Sequence, residues 1–175
     1  GVVTAVSGQV SQSNDDAEER INGGISLSSS DLELVDDGVN KPNQTVGMRF
    51  QNMNIPQGAV INSAHIEFTV DDPDSGTSSL NITGEAADNA QPFSSSNGDI
   101  TGRALTSAST SWAPGAWSSG QTHNSPDLSN VVQEIVNRAG WASGNAIAMV
   151  VTGSGERTAH SYDGVPSLAP ILHVE

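Results

Sequence analysis

The chain has 175 residues, with 6 lysines and arginines against 20 aspartates and glutamates, for a formal net charge of −14. Cysteine is absent, which excludes disulfide frameworks, zinc ribbons, iron–sulfur clusters and cysteine nucleophiles. The acidity argues against nucleic acid and anionic membranes as partners, since phosphate binding needs a basic field. The longest apolar run, Ala146–Val151, is too short to cross a bilayer, so no membrane insertion is expected.

Composition points to strands. Val and Ile total 26 against 8 Leu, and 11 Thr add further β-branched side chains, which suit a pleated surface and lose freedom in a helix. The 18 Gly, 8 Pro, 14 Asn and 25 Ser supply turn chemistry for many short strands. A single lysine (Lys41), no cysteine and an acidic, Ser/Asn-rich make-up predict an extracellular protein, secreted or held at the cell surface. With no targeting segment visible, the chain reads as one module of a larger parent, and as a monomer.

In chain order, residues 1–14 read as a lead-in and residues 15–175 as a single β-sandwich domain. Acids cluster at Asp15, Asp16, Glu18 and Glu19, then at Asp31, Glu33, Asp36 and Asp37. Residues 30–35 alternate polar and apolar, as does 44–50, where Val46, Met48 and Phe50 share a face. A Pro56–Gly58 turn precedes the clearest strand, 60–70, in which Ala64, Ile66, Phe68 and Val70 oppose His65, Glu67 and Thr69. Residues 71–79 read as a loop, 80–85 as a strand, 86–98 as irregular, 99–106 as a strand and 111–120 as a Pro/Gly loop. The spacing of Leu128, Val131, Val132, Ile135 and Val136 predicts one short helix over 127–138, ended at Gly140. Residues 145–152, apolar on both faces, predict a central strand, and 157–163 and 169–175 the last two. The class is all-β: a sandwich of eight to ten antiparallel strands with one short α-helix.

Several ordered segments resemble a known family. Gln44-Thr45-Val46-Gly47-Met48-Arg49-Phe50 followed by Ile55-Pro56-Gln57-Gly58-Ala59-Val60-Ile61-Asn62-Ser63-Ala64 is similar to the core of DNRLRE-type jelly rolls. Trp112 and Trp117 ahead of Asp127–Glu134, Asn145–Ala148, and Ser161-Tyr162-Asp163 ahead of Ala169–Glu175 follow the family's order across residues 15–175. Asp163 stands where the family carries Glu, and Trp141 follows Gly140 instead of ending the helix directly. The resemblance implies a jelly roll like those of carbohydrate-binding modules, with a helix crossing one end, in a large secreted bacterial protein. It also implies a structural calcium between the N-terminal segment and the last strands. Asp16, Glu18, Asp31 and Glu33 (with Asp15 and Glu19) are candidates for the first side and Asp163 for the second. Hard cations want six to eight oxygens. Asp36-Asp37-Gly38 and Asp71-Asp72-Pro73-Asp74 are further candidates; the alternative for every acid is a solvated loop charge.

Sugar binding needs flat apolar faces and polar partners for hydroxyls. Trp112 and Trp117, in a Pro/Gly loop, are either stacking surfaces or plugs of the sandwich end, and Trp141 reads as a plug. The second candidate is the polar face of two strands: His65, Glu67 and Thr69 on one, Asn81, Thr83 and Glu85 on the next. Its alternative is an ordinary solvent face. Arg103, Arg157 and His160 are the groups that would meet an anionic sugar.

Enzyme signatures are weak. No G-x-S-x-G occurs, and His65, His123, His160 and His173 lack zinc spacing. Glu67 with Glu85 is one possible glycosidase pair, and His65 or His160 with Tyr162 one possible lyase set. The expectation is a non-catalytic carbohydrate-binding module that tethers a linked catalytic domain to a polysaccharide, with structural calcium. The competing readings are a calcium-stabilised structural or adhesin domain without a sugar site, and a polysaccharide lyase or glycoside hydrolase.

Overall fold

The computed structural model describes residues 2–175. In chain order the elements are β1 (Val6–Gln9), β2 (Asp16–Glu19), β3 (Ile25–Ser26), β4 (Asp31–Glu33), β5 (Thr45–Phe50), β6 (Ala64–Asp72), β7 (Ser79–Glu85), β8 (Leu105–Trp112), β9 (Thr122–Asn124), α1 (Ser129–Val136), β10 (Ile147–Ser154), β11 (Thr158–His160) and β12 (Ile171–Val174). They form two antiparallel six-stranded sheets. Sheet 1 runs β1-β12-β6-β11-β4, with β9 also on β6; sheet 2 runs β3-β2-β5-β10-β7-β8. The chain crosses repeatedly between them, and the all-β sandwich with one helix is the class its composition predicts.

Alternation explains the core. Ile66, Phe68 and Val70 of β6 and Leu172 and Val174 of β12 face Val46, Met48 and Phe50 of β5, Leu80 and Ile82 of β7, and Ile147, Met149 and Val151 of β10 in one buried cluster. Val131, Val132, Ile135 and Val136 of α1 join that cluster. Gly84 of β7 makes room for the helix: a Cβ there would stand 2.7 Å from Ile135 Cδ1. The Glu134 carboxylate accepts the Ser107 and Ala108 backbone N–H groups at 2.9 and 3.0 Å, tying α1 to β8.

β10 is apolar on both faces because both are covered. Its outward Ala148 and Val150, with Ala17 of β2, lie beneath Ala90, Phe93 and Ile100 of the 86–104 segment, which forms a second small core on the outside of sheet 2. Gly47 of β5 permits that contact, since a Cβ there would stand 2.6 Å from Phe93 Cζ.

The observed boundaries differ from the sequence reading in several places, and Ser111 and Trp112, expected in the Pro/Gly loop, end β8 in register with Asn81 and Leu80. Residues 6–9, within the expected lead-in, are a strand of sheet 1 paired with β12, and Val10 is buried. Twelve strands replace eight to ten, because β2, β3 and β9 are too short or too polar to show a period. Residues 99–104 are turns: Ser94 N–H and the Arg103 guanidinium both bond Asp99, and β8 begins only at Leu105. α1 is one turn shorter than 127–138, because Asp127 Oδ1 accepts the Ala64 N–H at 3.0 Å and is held by β6. Among the described residues no helix is long and apolar enough to cross a membrane.

Candidate functional site

His65 and Glu67 lie on the outward face of β6, opposite the buried Ala64, Ile66 and Phe68. His65 pairs across the sheet with His173 of β12. Same-face cross-strand partners sit close enough for their rings to meet, and here the imidazoles stack with centroids 4.9 Å apart and planes at 27°. His173 Nε2 lies 3.1 Å from Glu67 Oε1. Burial, and then the neighbouring His173, hold the pKa of His65 below the usual histidine range. Asn124 and Thr122 of β9 continue the polar rows beside Glu67 and Thr69. A groove of about 400 Å³ opens beside the stacked pair, bordered by Ser7, Ser63 and Glu175. The arrangement offers two flat rings, a carboxylate and neutral hydrogen-bonding groups on one open sheet face.

The other expected sugar contacts are placed elsewhere. Asn81 and Glu85 lie on the outward side of β7 in sheet 2, so the two polar strand faces point away from each other and form no common groove. Glu67 and Glu85 therefore do not make a glycosidase pair. Glu85 accepts from Arg103 Nη1 at 2.9 Å. Arg103 also binds Asp99 at 3.0 Å, donates to the Gln91 and Pro92 carbonyls and stacks over Phe93, 4.4 Å from the ring centroid. It is the clamp of the 86–104 segment. Arg157 is only 2% exposed and donates to the carbonyls of Gly115, Glu156, Gly76 and Pro114. Neither arginine is left to meet an anionic sugar.

Trp112 and Trp117 are core plugs. Both are buried, each about 6 Å from the Phe68 centroid (5.7 and 6.1 Å). The backbone of Trp117 bridges to Asp74, which folds its Pro/Gly loop back over the sandwich; His123 stacks on its ring at 5.4 Å and 10°. Trp141 is also buried, as its place after the helix suggests, and its Nε1 donates to the Ile55 carbonyl at 2.8 Å. Tyr162 packs against the main core, and His160 Nδ1 lies 3.6 Å from Asp71 Oδ1.

Most of the acids lie in a chain along one edge of the sandwich: Asp16 has Asp163, Glu18 and Asp15 as charged neighbours, and Glu33 has Glu18 and Asp31. Asp16 and Glu18 pair in register with Met48 and Val46 and so point toward the interior at the sandwich edge. Burial pushes Asp16 up to about 7, although its Oδ2 accepts the Tyr162 N–H at 2.9 Å. Asp163 is exposed and accepts from Ser13 Oγ. Asp15 is tied to Arg49 and Gln51, each at 2.7 Å, and Glu19 accepts the Ile100 and Thr101 N–H groups. Glu18 Oε2 accepts the Glu33 N–H at 3.0 Å, which satisfies a donor on the open edge of β4. Burial, then hydrogen bonding with Glu18 and Asp31, pushes Glu33 up to about 10. Asp31 meets Asp71 and Asp72 rather than Asp163: one carboxylate oxygen from each lies within 4.8 Å of the other two.

One residue of the site and one juxtaposition escaped the sequence reading. His173 was legible, because alternation in 171–174 sets it opposite Leu172 and Val174. The meeting of Asp31 with Asp71 and Asp72 was not, since it depends on β11 lying between β4 and β6. No protein-family model matches the chain, and no curated protein is similar to it.

Proposed function

We propose that this chain is a non-catalytic, monomeric polysaccharide-binding module of a larger extracellular protein, and that it holds a glycan on the outward face of sheet 1. The observation that carries the reading is the stacked His65–His173 pair with Glu67 beside it, on a face that carries no second hydrophobic core among the described residues, unlike sheet 2 beneath the 86–104 segment. Sugar rings present apolar C–H faces and hydroxyls together, and a ring pair flanked by a carboxylate, Asn124 and Thr122 complements both. Binding of modest affinity suffices. Tethering raises the effective concentration of a linked catalytic domain at its substrate without any chemistry in the module itself.

A second reading is a structural spacer without a sugar site. It is favoured by the burial of Trp112 and Trp117 and the full internal use of Arg103 and Arg157. Retention of the domain on a panel of soluble and insoluble polysaccharides separates the two. The binding reading expects saturable retention on one glycan class that the His65→Ala/His173→Ala double variant loses while keeping its melting temperature within a few degrees. Uniform failure to bind leaves the spacer.

A further inference from the structure

The concavity beside the stacked histidines does not end with them. It meets a second one, of about 630 Å³, along Val6, Val174 and Glu175, which border both. The second lies at the end of the sandwich against the 54–62 segment, and its walls include Val3, Pro56, Val60 and Ile61, with Asn54 and Asn62 among them. Three of the seven exposed large apolar side chains among the described residues, Val2, Val3 and Val60, stand around it, and Val60 is 80% exposed. Apolar side chains scattered singly over a surface mean little, but a contiguous group beside polar ones marks a contact surface.

This wall is built in advance. In the turn after Pro56, the Gly58 N–H donates to the Val136 carbonyl at 2.9 Å. Gln133 of α1 donates to the Ala59 carbonyl and accepts the Ile61 N–H, each at 2.8 Å. The Asn62 N–H donates to the Glu175 carbonyl at 2.7 Å. A segment so anchored keeps its shape when free, and a ligand that settles on it loses no affinity to ordering a loop.

The charge around the trough selects among ligands. Lys41, Arg49, Arg103 and Arg138 are paired with carboxylates, and Arg157 is bonded to carbonyls. Arg20 lies on the connection between β2 and β3 of sheet 2. Among the described residues, none of the six lysines and arginines borders either concavity. Glu67, Glu175 and Asp127 lie within interaction range of His65, which stays uncharged at neutral pH because burial and His173 disfavour its protonation. A carboxylate or sulfate on the ligand would meet repulsion and no partner. Hydroxyls find acceptors there, and apolar C–H faces find valine, proline and imidazole.

We propose that the trough from the His65–His173 pair to Pro56, Val60 and Ile61 holds one uncharged glycan chain several sugars long, with the ring pair as one subsite and the valine wall as another. The second subsite and the neutrality of the ligand rest on the glycan reading of the histidine face, and extend it. Each concavity is of the size that holds a small ligand, so a chain that fills both gains from the second without new ordering.

The test is calorimetric titration with cello-, xylo- and manno-oligosaccharides, each as disaccharide and hexasaccharide, and with oligogalacturonate as the acidic comparison. In one uncharged series the hexasaccharide should bind at least about tenfold tighter than the disaccharide. Val60→Asp, with its melting temperature unchanged because the position is exposed, should remove most of that gain and leave the disaccharide unaffected. His65→Ala/His173→Ala should lose both. Equal affinity of the two lengths, a hexasaccharide indifferent to Val60→Asp, or tighter binding of oligogalacturonate overturns this inference while the glycan reading stands. So does self-association in sedimentation that Val60→Asp abolishes, since the wall then belongs to a second copy of the chain. No binding to any sugar, or hexasaccharide binding that survives the histidine double variant, overturns both.

Discussion

Glu67 and Glu85 occupy the outward faces of opposite sheets, Glu67 beside His173 on sheet 1 and Glu85 beneath Arg103 on sheet 2. Their substitution should therefore separate cleanly. Glu85→Gln removes a charged partner from a clamp whose Arg103 and Glu85 side chains are 10% and 14% exposed, and should cost about 2 kcal/mol. Glu67→Gln should cost well under 1 kcal/mol, as exposed pairs do, and act on glycan retention instead. Urea unfolding of both variants, with retention measured in parallel, checks this; equal loss of stability in the two would contradict the assignment.

Trp117 is buried against Phe68 and Trp112, so it should behave as a core residue. Trp117→Ala should destabilise the domain by about 3–5 kcal/mol. Retention on any glycan that binds should be unchanged at temperatures where the variant is folded. Emission of the native protein should be blue, with all three tryptophans shielded from water. Loss of retention with no loss of stability would restore Trp117 as a sugar contact.

Arg157 spans four carbonyls contributed by two loops and its own neighbour. Arg157→Ala leaves those oxygens unmet and should cost about 3 kcal/mol or more. Arg157→Lys should recover little, because a point ammonium cannot reproduce the planar fork. Chemical unfolding midpoints decide it: a lysine variant of parental stability would mean that charge, not geometry, matters there.

Asp16 should make stability fall with rising pH. The unfolded carboxyl ionises near 3.8, whereas the folded one keeps its proton until about 7, chiefly because of burial, with repulsion from Asp163 adding to it. Between these values folding takes up a proton, so the contribution is complete below pH 3.8 and lost as the pH climbs through about 7. Glu33, pushed up to about 10, acts in the same direction over a wider range. In chelator, Asp16→Asn, which can still accept the Tyr162 N–H, should flatten the decline between pH 4.5 and 7.5 relative to the parent. Parallel pH profiles would rule out this role.

The amino-acid sequence by itself determined the class of this protein. The β-branched composition, the period of two in 44–50 and 60–70 and the three-four spacing of Leu128–Val136 are local signals, and each element lies where they put it to within a few residues. Central β10 was legible for the same reason, since a strand covered on both faces must be apolar on both. The site was legible only where it follows from alternation: His65 and Glu67 share a face in any strand. Which faces meet is decided by strand order, and that depends on long-range pairing. The two polar strands, adjacent in sequence, went to opposite sheets because β6 and β7 both turn their apolar sides to one core. Asp31 found Asp71 and Asp72, some forty residues away, because β11 inserts between their strands and a bulge turns both aspartates to one side. Trp117, promising as a loop residue, was drawn inward because Phe68 and Trp112 offered its large ring more buried contact than water could.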